Sequence, residues 1–503
     1  MGAPISLRAQ SMWLFFAKII SFILALALPL LVVRHLSQHD IGTYRQVFLI
    51  IANASTILPL GLPMTALYFL PREPQYRSQI IFNIMLFNFL VGAAFFLLLF
   101  LFPQIPAKIF SNSEIEKLAV LIGFTVWLWV FSSLLEVIAI ANQEPRLATA
   151  FIVFSQLSKT SMMTVAVLLF STVQSLLYAA IFQSILQILI LLVYLTRRFG
   201  NFWFAFDFNF LLKHLRYALP IGFAGLIWIL QGDLHNYFVS YRFGAEQFAI
   251  YAYGCFQIPL IAILREAVAS VLIPKMSELE VKGNKAEMIR LTFRAIQKLA
   301  FFYFPLYVFL FLTADTFIKT LFTERFEASI PIFLVNLTLL PFEILILDPI
   351  VRAYRDLGDF LLKVRIIMLA VLIVFLYLAT LYLNLTGVIA IVVSMIICEK
   401  LIFSLIAAHK LGITLRDLKS LLDVFKIAMI SVIAGIVLMP FYFIAKDLSM
   451  SKFIAYFNSQ FLAGVLFLAV CMVIFSTVYL ILSYYSGVIE NEEKARLREL
   501  LRF

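Results

Sequence analysis

Two ionisable side chains stand side by side inside an apolar stretch. In QIPLIAILREAVASVLIPKM (257–276) they are Arg265 and Glu266. Arg at the centre of a membrane helix costs roughly 2.5–3.5 kcal/mol on insertion scales. A chain bears that cost where the charge faces protein or a water-filled cavity. Lys18, Lys159 and Lys400 also fall in apolar runs, Lys159 within the polar SQLSKTS (155–161). Asp233 and His235 lie in QGDLHNY, followed by Asn236. A carboxylate at membrane depth can carry a proton or bind Na⁺, and His235 makes the pair a relay candidate.

Each group also has a plainer reading. Glu266 beside Arg265, and Glu399 beside Lys400, offset charge locally. Adjacent helix residues diverge by about 100°, so they are poor direct partners. Arg265 could equally close an interhelix ion pair, Asp233 and His235 a hydrogen-bond cluster, and Lys400 could snorkel to the interface.

The elements that carry these residues follow from composition. The chain is 503 residues, 63% hydrophobic and 13% charged, with 53 Phe and a mean hydropathy of +1.01. No soluble fold of this length covers so much apolar surface. Its apolar runs are about 20 residues long, which makes helices rather than barrel strands. The expected fold class is all-α, a polytopic membrane protein. Fourteen spans are expected, near 11–33, 47–70, 80–102, 118–141, 149–170, 175–195, 217–240, 247–273, 299–321, 329–349, 364–384, 385–408, 425–446 and 459–483. MGAPIS fits a myristoylation pattern, and the first run is long enough to be a retained helix rather than a cleaved signal.

Outside the spans, Lys and Arg favour one side of the membrane by about three to one. That side holds both termini, which the positive-inside rule places in the cytoplasm. The net charge of +11 therefore reads as topology, with no nucleic-acid partner. The connections 196–216, 275–298 and 410–426 read as amphipathic or interfacial helices. Cys255, Cys398 and Cys471 are far apart within apolar runs and read as packing residues, with no metal spacing. No cofactor is expected, and no nucleotide-binding loop GxxxxGK[ST] is present.

A weak internal repeat organises the spans. RHLSQHDIGTYRQVF follows the first span and SYRFGAEQFAIYAYG the seventh. Aligning Tyr44 with Tyr251 pairs Leu36 with Phe243, Ser37 with Gly244 and Ile41 with Phe248. The expected division is an N-terminal lobe (1–195, six helices), a linker (196–216), a C-terminal lobe (217–408, six helices) and two extra helices with the tail (409–503). Parallel repeats of this kind place a substrate site between them. Pro59, Gly61 and Pro63 in LPLGLPMT (58–65), and Pro259, mark bends.

The stretches FGAEQFAIYAYGCFQIPL (243–260), REAVASVLIPKMSELEVKGN (265–284) and HLSQHDIGTYRQ (35–46), with the six-plus-six-plus-two layout, carry a resemblance. The chain resembles the Wzx-like polysaccharide flippases of the multidrug/oligosaccharidyl-lipid/polysaccharide (MOP) exporter superfamily. The resemblance implies two six-helix lobes around a cavity open to each side in turn. The implied cargo is a polyprenyl-diphosphate-linked glycan, moved from the cytoplasmic to the outer leaflet of the inner (plasma) membrane. Related lipid II flippases place basic residues of helices one and eight in the cavity, which matches Lys18 and Arg265 at the level of the helix. Lys and Arg suit phosphate oxygens, Arg bidentately. Lys18, Lys159 and Arg265 are therefore the candidate cargo-binding cations, and Asp233, His235 and Glu266 the candidates for H⁺ or Na⁺ coupling. Two rivals remain. A multidrug or metabolite antiporter of the superfamily commonly has acids, not a lysine, in its first helix. A membrane glycan polymerase or ligase needs a larger outer loop than any here.

Overall fold

Inside a bilayer a backbone must satisfy its own hydrogen bonds, which for single segments means helix. A computed structural model of the chain describes residues 24, 27–200, 202–414 and 416–488. Among them every regular element is helical. In order they are α1 (Gln38–Ile57), α2 (Thr65–Arg72), α3 (Arg77–Leu101), α4 (Gln104–Phe110), α5 (Glu114–Ser132), α6 (Leu134–Ala141), α7 (Pro145–Phe170), α8 (Val173–Phe199) and α9 (Phe208–Gly254). Then come α10 (Pro259–Val281), α11 (Lys285–Phe322), α12 (Ile330–Leu337), α13 (Asp348–Ala353), α14 (Arg355–Tyr382), α15 (Leu385–Leu411), α16 (Leu422–Phe457) and α17 (Gln460–Tyr485). The protein is an all-α polytopic membrane protein.

Among the described residues, 11 helical stretches are long and apolar enough to span, or 12 if Gln38–Ile57 and Leu62–Arg72 form one span bent by 47°. Two of the fourteen expected spans stand outside that set. The first, 11–33, falls mostly outside the described residues. The eighth, 247–273, is divided: α9 runs to Gly254, and α10 restarts at Pro259. Arg265, Glu266 and Lys275 make α10 more charged than a lipid-facing helix.

The expected break before residue 385 is present, with the Asn384 side chain accepting from the Gly387 amide at 2.9 Å to start α15. The expected interfacial helices are not formed as such. Residues 202–207 form no helix, and Phe204 there is 90% exposed. Residues 196–199 of that connection end α8, and 208–216 begin α9. In 275–298 the chain turns at Gly283, where φ is +66°, and Asn284 caps a new helix by accepting from the Glu287 amide. In 410–426 Gly412 (φ +77°) ends α15, and only a short 3-10 turn, Asp417–Leu421, precedes α16. Glycine reaches positive φ without strain, so it stops a helix that amphipathic spacing alone would continue.

Contacts divide the chain into a unit ending at Ala252 and another beginning at Tyr253. In the first unit α5 packs against α1, α3 and α8, and α7 packs on α8. The α9 backbone also comes close to the earlier helices. A Cβ on Gly42 would overlap the Ala245 carbonyl oxygen, and one on Gly222 would overlap the Leu60 carbonyl oxygen. Gln46 on α1 donates to Ser240 Oγ at 2.5 Å. These contacts hold the seventh expected span within the first unit. In the second unit α11 packs against α10, α16 and α17, α14 packs on α15, and α12 touches α11 and α15.

The internal repeat has a structural counterpart over its first part. Ser37 caps α1, its side chain accepting from the Asp40 amide. Its aligned partner Gly244 is the non-helical residue inside α9 (φ 78°, ψ 177°), so a new helical stretch begins at the equivalent point. Tyr44 and Tyr251, seven residues on, are both buried. The likeness then fades. Pro71-Arg72 ends α2, whereas Pro274-Lys275 lies inside α10.

Candidate functional site

The charges in the second unit gather around Glu343. It sits on a 3-10 turn, Leu340–Ile344, that interrupts the tenth expected span between α12 and α13. Pro341 lies in the first turn of that segment, and Leu345 after it is non-helical (φ −76°, ψ 82°). A proline and a broken ladder thus place this carboxylate where no continuous helix would. Arg265 Nη1 donates to Glu343 Oε2 at 3.2 Å. Lys400 Nζ lies 3.2 Å from the other oxygen, Oε1. One carboxylate therefore serves two cations from two helices, α10 and α15. The trio carries a net charge of about +1 when all three are ionised.

Exposure separates the three. Glu343 and Lys400 side chains are 17% and 20% exposed, while Arg265 is 45% exposed. The bond to Glu343 occupies one terminal nitrogen of a group with five N–H donors. Nearby, the Tyr303 hydroxyl donates to the Ile261 carbonyl at 2.8 Å, tying α11 to the turn of α10 that precedes Arg265.

The neighbour of Lys400 points elsewhere. Glu399 Oε1 accepts from Arg365 Nε at 3.1 Å and Nη2 at 3.0 Å, joining α14 to α15. Arg265 and Lys400 both reach across to Glu343 on a separate element. Glu266 is exposed on α10.

In the first unit, Lys159 on α7 places Nζ 3.9 Å above the Trp129 ring of α5. This cation–π contact replaces part of the ammonium's lost hydration. One turn earlier on α7, Ser155 donates to Gln187 of α8 (3.3 Å), and Gln183 donates to the same oxygen (3.0 Å). Lys18 lies outside the described residues.

Asp233 and His235, both on α9, are not brought together. Asn236 donates to Asp233 Oδ1 at 3.3 Å, while Asn53 on α1 donates to the Tyr237 hydroxyl at 3.0 Å. His235 is buried, its Nδ1 2.9 Å from the Tyr251 hydroxyl. Residues two apart on a helix face different ways, so each takes its own partners.

Sequence reasoning placed Glu343 only among the acids in or near spans, gave Arg365 no role and read Lys400 as snorkelling. No local spacing signals these pairs, because Arg265 and Glu343 are 78 positions apart. It also overlooked a buried polar knot in which Asn112 donates to Gln46 Oε1 (2.6 Å) and Thr43 Oγ1 (2.9 Å).

A family model described as polysaccharide biosynthesis protein matches residues 31–331. Among solved structures, the lipid II flippase MurJ in an inward closed conformation aligns with a TM-score of 0.69 at 15% identity, over 95% of this chain and 98% of that one. An inward-facing multidrug resistance MATE family transporter of the MOP superfamily gives 0.62 at 17% identity, over 78% and 94%. A MOP superfamily transporter from Pyrococcus furiosus, described as having a binding pocket of reversed polarity, gives 0.56 at 16% identity, over 80% and 94%. At these identities the likeness establishes the fold. No curated protein matches the chain.

Proposed function

The chain belongs to the polysaccharide biosynthesis protein family, and from that premise we propose that it flips a polyprenyl-diphosphate-linked oligosaccharide across the inner membrane for cell-surface polysaccharide biosynthesis. The cargo passes from the cytoplasmic to the outer leaflet by alternating access. Both chain termini lie in the cytoplasm in this reading. The glycan is of the kind that becomes O-antigen, lipopolysaccharide or exopolysaccharide.

The observation that carries this reading is the convergence of Arg265 and Lys400 on the single carboxylate of Glu343. Two cations at membrane depth with one anion between them leave a positive surplus. A nearly half-exposed guanidinium there suits a diphosphate, which takes Arg in a two-point bond. Lys159 adds a cation in the first unit, and Lys18 remains the other candidate from the sequence. A cationic drug would meet repulsion at Arg265, so the surplus favours lipid-linked anions over the antiporter's cargo.

Energy coupling is assigned to α9. Asp233, hydrogen-bonded by Asn236, offers an H⁺ or Na⁺ site, and His235 with Tyr251 a proton-carrying pair. The same Asp233 carboxylate is what favours a second reading, a cation-coupled multidrug or metabolite antiporter. Arg265→Ala separates the two in cells. Under the proposal it abolishes surface glycan export while the protein still folds and inserts. Normal surface glycan in that variant contradicts the site assignment.

A further inference from the structure

We propose that Glu343 is a built-in stand-in for the cargo's diphosphate, and that it sets selectivity and release by competing for Arg265 and Lys400. This rests on the diphosphate-lipid reading above. Glu343 uses one oxygen for each cation, 3.2 Å in both cases, the geometry a bridging phosphate oxygen pair would adopt. It is held by a short 3-10 turn and followed by irregular backbone at Leu345, so it can move without unwinding a long helix. Its two partners are carried by longer helices, α10 and α15.

The competition has a chemical consequence. A monoanion arriving at Arg265 exchanges one carboxylate bond for one equivalent bond and gains little. A diphosphate brings more charge and more acceptors, so it gains a two-point bond to Arg265 and a contact to Lys400. Glu343 is thereby a threshold that a diphosphate passes and a monoanion does not. When the cargo must leave, the returning carboxylate takes back both cations and lowers the cost of emptying the site. Without it, the Arg265 and Lys400 cations would be left close together with no anion between them. Glu343 is a positioning and selectivity residue in this account and makes no lasting contact with the cargo.

The test uses purified full-length protein in detergent and in proteoliposomes. The probes are a fluorescent polyprenyl-diphosphate disaccharide and its monophosphate counterpart. For Glu343→Gln the expected result is about tenfold tighter binding of the diphosphate probe. Its leaflet exchange becomes slower, because release limits it, and its preference over the monophosphate narrows. Affinity and turnover thus move in opposite directions, which a loosened fold does not produce. Unchanged or weaker affinity in Glu343→Gln overturns the proposal. If that variant does not fold, Glu343→Asp replaces it. Its shorter side chain cannot span both cations, so affinity should rise several-fold, and an unchanged or lower affinity overturns the idea equally. Failure of the wild-type protein to bind or exchange the diphosphate probe overturns the cargo reading itself. Wild-type exchange with a silent Glu343→Gln overturns only the role of Glu343.

Discussion

The guanidinium of Arg265 lies 3.2 Å from the carboxylate of Glu343, 78 positions further along the chain. That one bond answers why α10 tolerates an arginine among apolar neighbours. An acid on an interrupted span supplies the counter-charge, and it shares itself with Lys400. The charge is offset within the protein, yet Arg265 keeps an exposed flank.

The pair between Arg365 and Glu399 is a structural one. It is well formed, with two nitrogens on one oxygen, and side chains 25% and 10% exposed. Glu399→Ala should therefore destabilise the second unit by about 3 kcal/mol, since it removes a two-nitrogen acceptor from a largely buried guanidinium. The exchange Arg365→Glu with Glu399→Arg should recover part of that loss. Thermal melts of the detergent-solubilised variants measure both, and a wild-type melting temperature for Glu399→Ala would refute the assignment.

Close backbone approach at Gly42 makes a second prediction. An added Cβ would overlap the Ala245 carbonyl oxygen, a backbone atom that cannot rotate away. Gly42→Ala should cost about 1–3 kcal/mol through overpacking, and Gly42→Val more. Gly225, where an added Cβ would meet nothing within 4 Å, is the control. Gly225→Ala should be neutral or slightly stabilising, because alanine favours helix. Equal melting temperatures for Gly42→Ala and Gly225→Ala would count against the close packing of α1 on α9.

Glu278 lies beyond the apolar part of α10. Hydrogen bonds from Lys282 (2.5 Å) and Lys275 (3.0 Å) pull its carboxyl down from the usual 4.5 to about 2. A depressed carboxyl stabilises the folded form above its unfolded value and loses that contribution as pH falls through the folded one. The end of α10 should therefore loosen between pH 4.5 and about 2. The group is exposed, so salt should weaken the effect. Carboxyl ¹³C NMR in micelles reports the titration directly, and an ordinary glutamate midpoint at low salt would be the contrary result.

Asp233 and His235 take separate partners, so their contributions to transport should be independent. Asp233→Asn should remove the dependence of exchange on a proton or Na⁺ gradient while leaving downhill exchange. The effects of Asp233→Asn and His235→Gln on rate should combine additively in free energy. A strong coupling between the two would indicate the direct relay that the described hydrogen bonds do not contain.

Hydropathy made the membrane class and most spans legible, because the bilayer leaves a hydrophobic run few alternatives. Local chemistry also read through. Asn384 capped α15 where the sequence allowed only a short turn, and Ser37 and Gly244 punctuated the repeat at aligned positions. What escaped was tertiary. The amphipathic spacing of 275–298 suggested one helix, but Gly283 at positive φ divided it. The aromatic stretch 202–207 suited an interface without forming a helix. Arg265 and Lys400 were legible as charges inside apolar runs, whereas their meeting on Glu343 was not, since it joins three separate elements. Lys159 was legible as an intramembrane cation, but its seat on Trp129 was not.

If fixed cations at membrane depth select a lipid-linked diphosphate, leaflet exchange in proteoliposomes holding the wild-type protein should reveal it. A fluorescent polyprenyl-diphosphate glycan and a cationic dye are followed side by side under the same proton or Na⁺ gradient. The expected result is exchange of the diphosphate lipid, lost in Arg265→Ala, with no transport of the dye. Dye transport with the diphosphate lipid left in its original leaflet would mean that the cations serve some other purpose.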